Sequence, residues 1–257
     1  MGQTPAKIAL LGGDGIGPEV IGQARRVLEA LAQARGIAIE IAEEPYGLDC
    51  FKRHGVLLRE ETLAAMRSAD AVLFGATGGL AYAELPEKIR KAGNLLAIRK
   101  ALGLYANLRP VFAIPALAEA SSLKARALEG VDLVIVRELA GGIYFGEPKR
   151  IETLPDGRRC GVNTHVYTSD EIERIARVAF ELARARSRRV TSVDKANVME
   201  AGRLWREVVT AVHDADYRDI ELSHMLADNC ALQLGRNPRQ FDVLVTDNLF
   251  GDVLSDG

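Results

Sequence analysis

Short runs of β-branched and aliphatic residues recur along this chain, and between them lie segments whose apolar residues return every three or four positions. The runs at 7–11 (KIALL), 37–41 (IAIEI), 71–74 (AVLF), 131–136 (VDLVIV), 189–193, 220–226 and 241–245 (FDVLV) read as strands. The helical stripes are Val20, Ala24, Val27, Leu28 and Leu31; a short one over 58–66; Leu95, Ile98 and Leu102; Ile172, Ile175, Ala176, Ala179, Leu182 and Ala183; and 198–213 around Trp205. Pro18 suits a first helical turn, Pro110 holds its segment extended, and Thr168 to Glu171 has capping-box spacing. Asn248 reads as the cap of a last helix after the closing strand. Residues 142–167, rich in glycine and carrying Pro155-Asp156-Gly157, predict an irregular β-arm. Strands alternating with helices make an α/β fold with a largely parallel first sheet.

Composition narrows the partners. At 257 residues, 48% hydrophobic and 26% charged, the chain can bury one large core or two modest ones. A net charge of −2 supplies no basic field for nucleic acid or an anionic membrane, which favours a small-molecule partner. Cys50, Cys160 and Cys230 are odd in number and widely spaced, which suits a reducing cytoplasm better than a disulfide framework or a zinc knuckle. No targeting segment is legible, and no apolar window approaches the length that spans a bilayer.

The candidate chemistry gathers at strand ends. Gly12 to Gly17 and Gly75-Ala76-Thr77-Gly78-Gly79 are glycine-rich loops directly after strands, able to shape one crevice. The first reads G-x-G-x-G-P, so the dinucleotide fingerprint G-x-G-x-x-G fails. Arg99, Arg109 and Arg137 stand in apolar surroundings, and a guanidinium offers carboxylates a rigid fork of donors. Lys195 follows a strand, where partial burial can bring an amine toward neutrality. Asp252 and Asp256, four residues apart on the last helix, can converge on a hard cation such as Mg2+ or Mn2+.

Six ordered motifs carry a family resemblance: GGDGIGPEV at 12–20, LLAIRK with ANLRP within 95–110, RELAGGIYFGEP at 137–148, VDKANV at 193–198, DNCALQL at 228–234 and DNLFGDVLSD at 247–256. Together they closely resemble the decarboxylating isocitrate and isopropylmalate dehydrogenases, from end to end of the chain. The resemblance implies a two-domain, non-Rossmann α/β fold, with 1–105 and 247–257 in a first, cofactor-side domain and 106–246 in a second domain for substrate and dimerisation. It implies that Arg99, Arg109 and Arg137 hold substrate, that Tyr144 and Lys195 are acid and base, and that Asp252 and Asp256 bind Mg2+ or Mn2+ with Asp228 of the partner subunit in a homodimer with shared active sites. Gly75, Ala76, Thr77, Gly78, Gly79 and Asn197 would meet NAD. Leu95 and Leu96, where isocitrate-specific relatives are polar, select (2R,3S)-3-isopropylmalate and its oxidative decarboxylation in leucine biosynthesis.

Two departures stand against the pattern. The loop at 75–80 reads GATGGL where the family commonly has GAVGGP. Family chains also run on past the LSD motif through a loop for the adenosine of NAD, whereas this one stops at Gly257. That implies a C-terminally truncated form with an incomplete first domain and weakened cofactor affinity. A non-catalytic fragment keeping its dimer surfaces, or a tartrate- or malate-type enzyme of the same family, are the alternative readings.

Overall fold

A computed structural model of the chain describes residues 4–121 and 123–256. The chain divides after Gly103 into two units, each with its own sheet.

The first unit contains β1 (Ala6–Gly13), α1 (Gly17–Arg35), β2 (Ile39–Glu43), α2 (Leu48–His54), α3 (Glu60–Ser68), β3 (Ala71–Ala76), α4 (Leu80–Ala83), α5 (Glu87–Gly93) and α6 (Leu95–Ala101). Its sheet is parallel, in the order β2-β1-β3, and Ala9 and Leu11 of β1 pack with Tyr46, Leu63, Met66 and Ile98. The face that α1 buries shares only part of the expected stripe. Ile21 is buried and Ala24 and Leu28 half-buried, while Val20, Val27 and Leu31 are exposed. Both sets satisfy helical spacing, because the apolar residues of this helix cover more than half of its circumference.

The second unit contains β4 (Ala106–Phe112), α7 (Ala125–Leu128), β5 (Asp132–Glu138), β6 (Arg150–Thr153), β7 (Arg159–Val162), α8 (Ser169–Arg184), β8 (Arg189–Asp194), α9 (Glu200–Asp216), β9 (Glu221–Leu226), α10 (Ala227–Arg236), β10 (Val243–Thr246) and α11 (Asn248–Ser255). The sheet order is β4-β5-β10-β8-β9, parallel except for β4, so the last strand in sequence occupies the middle. Between 142 and 167 the expected arm is a two-stranded antiparallel ribbon, β6 with β7. The closing segment falls within this unit. Asn248 and Asp252 of α11 bond to Arg137 on β5, which fixes the helix there.

Trp205 of α9 and Phe180 of α8 fill one face of this sheet, with Ile172, Ile175, Ala176 and Ala179 around them. α8 begins with the predicted capping box: the Thr168 hydroxyl accepts from the Glu171 N–H while the Glu171 carboxylate accepts from the Thr168 N–H. Thr168→Ala should therefore lower stability by about 1 kcal/mol, the usual cost of a lost N-cap, read as a shifted urea midpoint with unchanged slope. Among the described residues, no helix is long and apolar enough to cross a membrane.

Candidate active site

In parallel sheets the carboxyl ends of the strands share one edge, and ligand groups collect there. In the second unit Arg137 pairs in register with Thr246, and Thr246 with Val193. That edge therefore carries Arg137 and Glu138 from β5, Asp247 and Asn248 after β10, Lys195 after β8 and Asp228 after β9.

Arg137 is 2% exposed, and a charge buried that deeply must be hydrogen-bonded. Its Nε–H and Nη2–H both donate to Asn248 Oδ1, at 3.0 and 2.8 Å, and Nη1 donates to Asp252 Oδ1 in an ion pair. Tyr144 donates its hydroxyl to the other oxygen of Asp252 at 2.7 Å, and its ring lies 5.7 Å from the guanidinium carbon. The Tyr144 hydroxyl foremost, with Arg137 also contributing, holds the Asp252 carboxyl below the usual aspartate range. The same carboxylate raises the phenol, so Tyr144 keeps its proton at neutral pH. The helix can lie this close because residue 251 is glycine. A Cβ there would sit 2.5 Å from Arg137 Cγ.

Several residues that sequence reasoning did not single out build this corner. The cap of α11 is Asp247, not Asn248: the Asp247 carboxylate accepts from the Phe250 N–H at 2.8 Å and pairs with His165 Nε2 at 3.3 Å. Asn248, one position later, is freed to turn its amide inward. Its backbone N–H donates to the Tyr167 hydroxyl, and its Nδ2 donates to the Gly141 carbonyl. Glu138 is fully buried beside Arg137 and accepts from the Ala140 and Gly141 N–H groups, which fixes the turn leading to Tyr144. Two adjacent cap-forming residues, and a Glu following an Arg at a strand end, were the signals available.

Burial pushes the Glu138 carboxyl up, against those N–H groups and Arg174. An acid with a raised folded pKa holds its proton longer when folded than when unfolded. Its contribution to stability is then fully present below about pH 4.3, the ordinary glutamate value, and is lost as pH rises through the folded value. Urea unfolding of Glu138→Gln, followed as pH rises from below the ordinary glutamate value, should lack that decline.

The remaining candidates fall into two groups. Arg109 Nη1 lies 3.9 Å from Asp256 Oδ1, and both side chains are solvent-accessible. Lys195 Nζ donates to Asp228 Oδ1 at 2.6 Å, and this ammonium holds the Asp228 carboxyl below its usual range. Asn197 is exposed in the turn after Lys195. Asp252 of α11 and Asp256, the residue just after its end, offer hard oxygen donors, which suit Mg2+ or Mn2+. Among the described residues no group of three or more His, Cys, Asp or Glu side chains is gathered to hold a metal, so this chain brings Asp228 to Lys195 and not to the other two aspartates.

In the first unit the glycine loops serve each other before any ligand. A Cβ on Gly17 would stand 2.1 Å from the Gly12 carbonyl oxygen, and one on Gly75 would stand 2.2 Å from the same atom, so the start of α1 and strand β3 can both approach the end of β1 only with glycine there. Asp14, 4% exposed, accepts from the N–H groups of Leu48 and Gly78 and ties the loops together. Thr77 faces the Tyr46 hydroxyl at 3.4 Å, and burial pushes that phenol up to about 12. Leu95, Leu96 and Arg99 stand half-buried on α6, which Asn94 caps by accepting from the Ala97 N–H.

The family model described as isocitrate/isopropylmalate dehydrogenase matches residues 7–257. The chain belongs to the isocitrate/isopropylmalate dehydrogenase family. Within that family it is 55% identical over 97% of its length to 3-isopropylmalate dehydrogenase 1 of Bradyrhizobium diazoefficiens, covering 66% of that protein. It is 56% identical to the 3-isopropylmalate dehydrogenase of Gluconobacter oxydans, again over 97% of its length and 68% of the relative's. Among solved structures it resembles the isocitrate dehydrogenase of Methylococcus capsulatus with a TM-score of 0.82 at 33% identity, covering 98% of this chain and 69% of that one. The chain thus spans about two thirds of the length of the dehydrogenases it matches.

Proposed function

We propose that the chain carries out the NAD-dependent oxidative decarboxylation of (2R,3S)-3-isopropylmalate to 4-methyl-2-oxopentanoate and CO2, a step of leucine biosynthesis. The observation that carries this reading is the buried Arg137 grouped with Tyr144 and Asp252 at the strand edge. Arg137, with Arg109 and Arg99, takes the two substrate carboxylates. Lys195 of the partner subunit, once it has released its own proton, accepts the hydroxyl proton as hydride passes to NAD, and Tyr144, held protonated, returns a proton to the carbon that loses CO2. Asp252 and Asp256, with Asp228 of the partner subunit, would hold a divalent cation, which would supply Lewis acidity when bound. Gly75, Ala76, Thr77, Gly78, Gly79 and Asn197 meet the nicotinamide side of NAD. The homodimer this requires is supported by the ribbon of β6 and β7, a two-stranded sheet that joins neither of the larger ones.

Leu95 and Leu96 decide among the related acids. A leucine pair packs an isopropyl group and leaves a third carboxylate without a partner. With Mg2+ and NAD, NADH formation by the purified chain should give a higher kcat/KM on 3-isopropylmalate than on isocitrate, malate or tartrate. A preference for any of the other three overturns the assignment.

A further inference from the structure

A guanidinium has two forks. The side-on fork is Nε with Nη2, and the end-on fork is Nη1 with Nη2; either can take a carboxylate with two parallel bonds. In Arg137 the side-on fork is already filled, because Nε and Nη2 both donate to the single oxygen Asn248 Oδ1. Asn248 is itself held on independent sides: Nδ2 donates to the Gly141 carbonyl at 3.1 Å, the backbone N–H donates to the Tyr167 hydroxyl at 2.9 Å, and the residue is 1% exposed. The amide therefore cannot turn over. Reversing it would set NH2 against the guanidinium and oxygen against the Gly141 carbonyl, leaving buried donors and acceptors unpaired.

We propose that Asn248 is a positioning residue that closes the side-on fork of Arg137 and so makes the end-on fork the one that receives substrate. It holds the guanidinium without neutralising it. An amide oxygen is a neutral acceptor, so Asn248 adds no negative charge to the Asp252 carboxylate that already pairs with Nη1, and an anionic ligand on the end-on side competes with that one carboxylate and not with two. An aspartate of the same shape would set a second carboxylate on the guanidinium beside Asp252 and would face the Gly141 carbonyl with a second acceptor. Glu138, on the other side of Gly141, accepts the Gly141 N–H, so the peptide groups that orient Asn248 are themselves fixed. The inference rests on reading this edge as the site of a malate-type dicarboxylate, and deepens it by stating which edge of Arg137 the substrate meets.

Arginine-labelled protein tests it by NMR. In the unliganded wild type, the Arg137 Nε–H should exchange with water at least about tenfold more slowly than those of exposed arginines, as expected for a buried donor that opens only with local unfolding. In Asn248→Ala that protection should vanish. In Asn248→Asp it should persist, while the calorimetric Kd for 3-isopropylmalate with Mg2+ rises by about tenfold or more, as expected when an ion pair competes for the charge. Saturating the wild type with 3-isopropylmalate should shift the Nη protons and leave Nε–H in place. Fast Nε–H exchange in the wild type, loss of its bond on adding substrate, or unchanged affinity in Asn248→Asp would each overturn the proposal. The first of these needs no variant to fold. If the wild type binds no 3-isopropylmalate, the substrate reading fails, and the exchange rates still decide whether Asn248 holds Arg137.

Discussion

Arg137→Lys should lower kcat/KM on 3-isopropylmalate by roughly a hundred- to a thousandfold, equivalent to about 3–4 kcal/mol. The charge survives this substitution, but the geometry does not. Lysine is a point donor, whereas Arg137 uses one side of its fork on Asn248 and the other on Asp252. An ammonium here leaves Asn248 Oδ1 short of donors in a buried corner, and it loses the second parallel bond to a ligand carboxylate. The deficit should fall mostly on substrate affinity, since the carboxylates are bound before and during reaction alike. Steady-state kinetics beside a thermal melt would separate this from unfolding; a variant with near wild-type kcat/KM would mean that charge alone is what the site requires.

Gly251→Ala should produce the other large effect. Two tendencies oppose each other in this helix interior. Alanine is favoured over glycine by about 1 kcal/mol on propensity. Against that, the new methyl would lie 2.5, 2.8 and 2.9 Å from Cγ, Cβ and Cδ of Arg137. Those are the atoms of the side chain nearest a central strand, so they cannot swing aside as a flexible tip would. The helix must lift, and overpacking of this kind costs about 1–3 kcal/mol. Lifting α11 also withdraws Asn248 and Asp252 from the guanidinium. We expect a net loss of about 2 kcal/mol, a Tm lower by roughly 4–8 °C for a unit of this size. Substrate affinity should drop with it. A raised Tm would show that the propensity gain wins and that the contact is looser than the geometry indicates.

Much of the architecture was legible because strands here are nearly continuous apolar runs, as buried parallel strands must be. VDLVIV and FDVLV lie beside one another as β5 and β10, and the capping box at Thr168 starts α8 where its spacing put it. α2 was not legible, since Leu48–His54 shows too few apolar residues to set a helical period. Nor was the buried face of α1, where two overlapping stripes fit equally well and only the sheet chooses between them. At the site, residue types were readable but partners were not. Arg137 and Asp252 are 115 positions apart, and nothing local indicates that they meet. The one-residue error at the cap of α11 had a large consequence: with Asn248 taken for the cap, its amide had no other task, and the lock on Arg137 stayed invisible.

The place of β10 bears on how the molecule is made. It is the wedge between β5 and β8, yet a ribosome delivers it after every other strand of that sheet. Until residue 246 emerges, β5 with β4 and β8 with β9 can form only two separate edges, each showing unpaired backbone to its surroundings. Nascent chains that stop short of this point must therefore be shielded or wait, and the arginine corner comes into being in the same event that joins the halves.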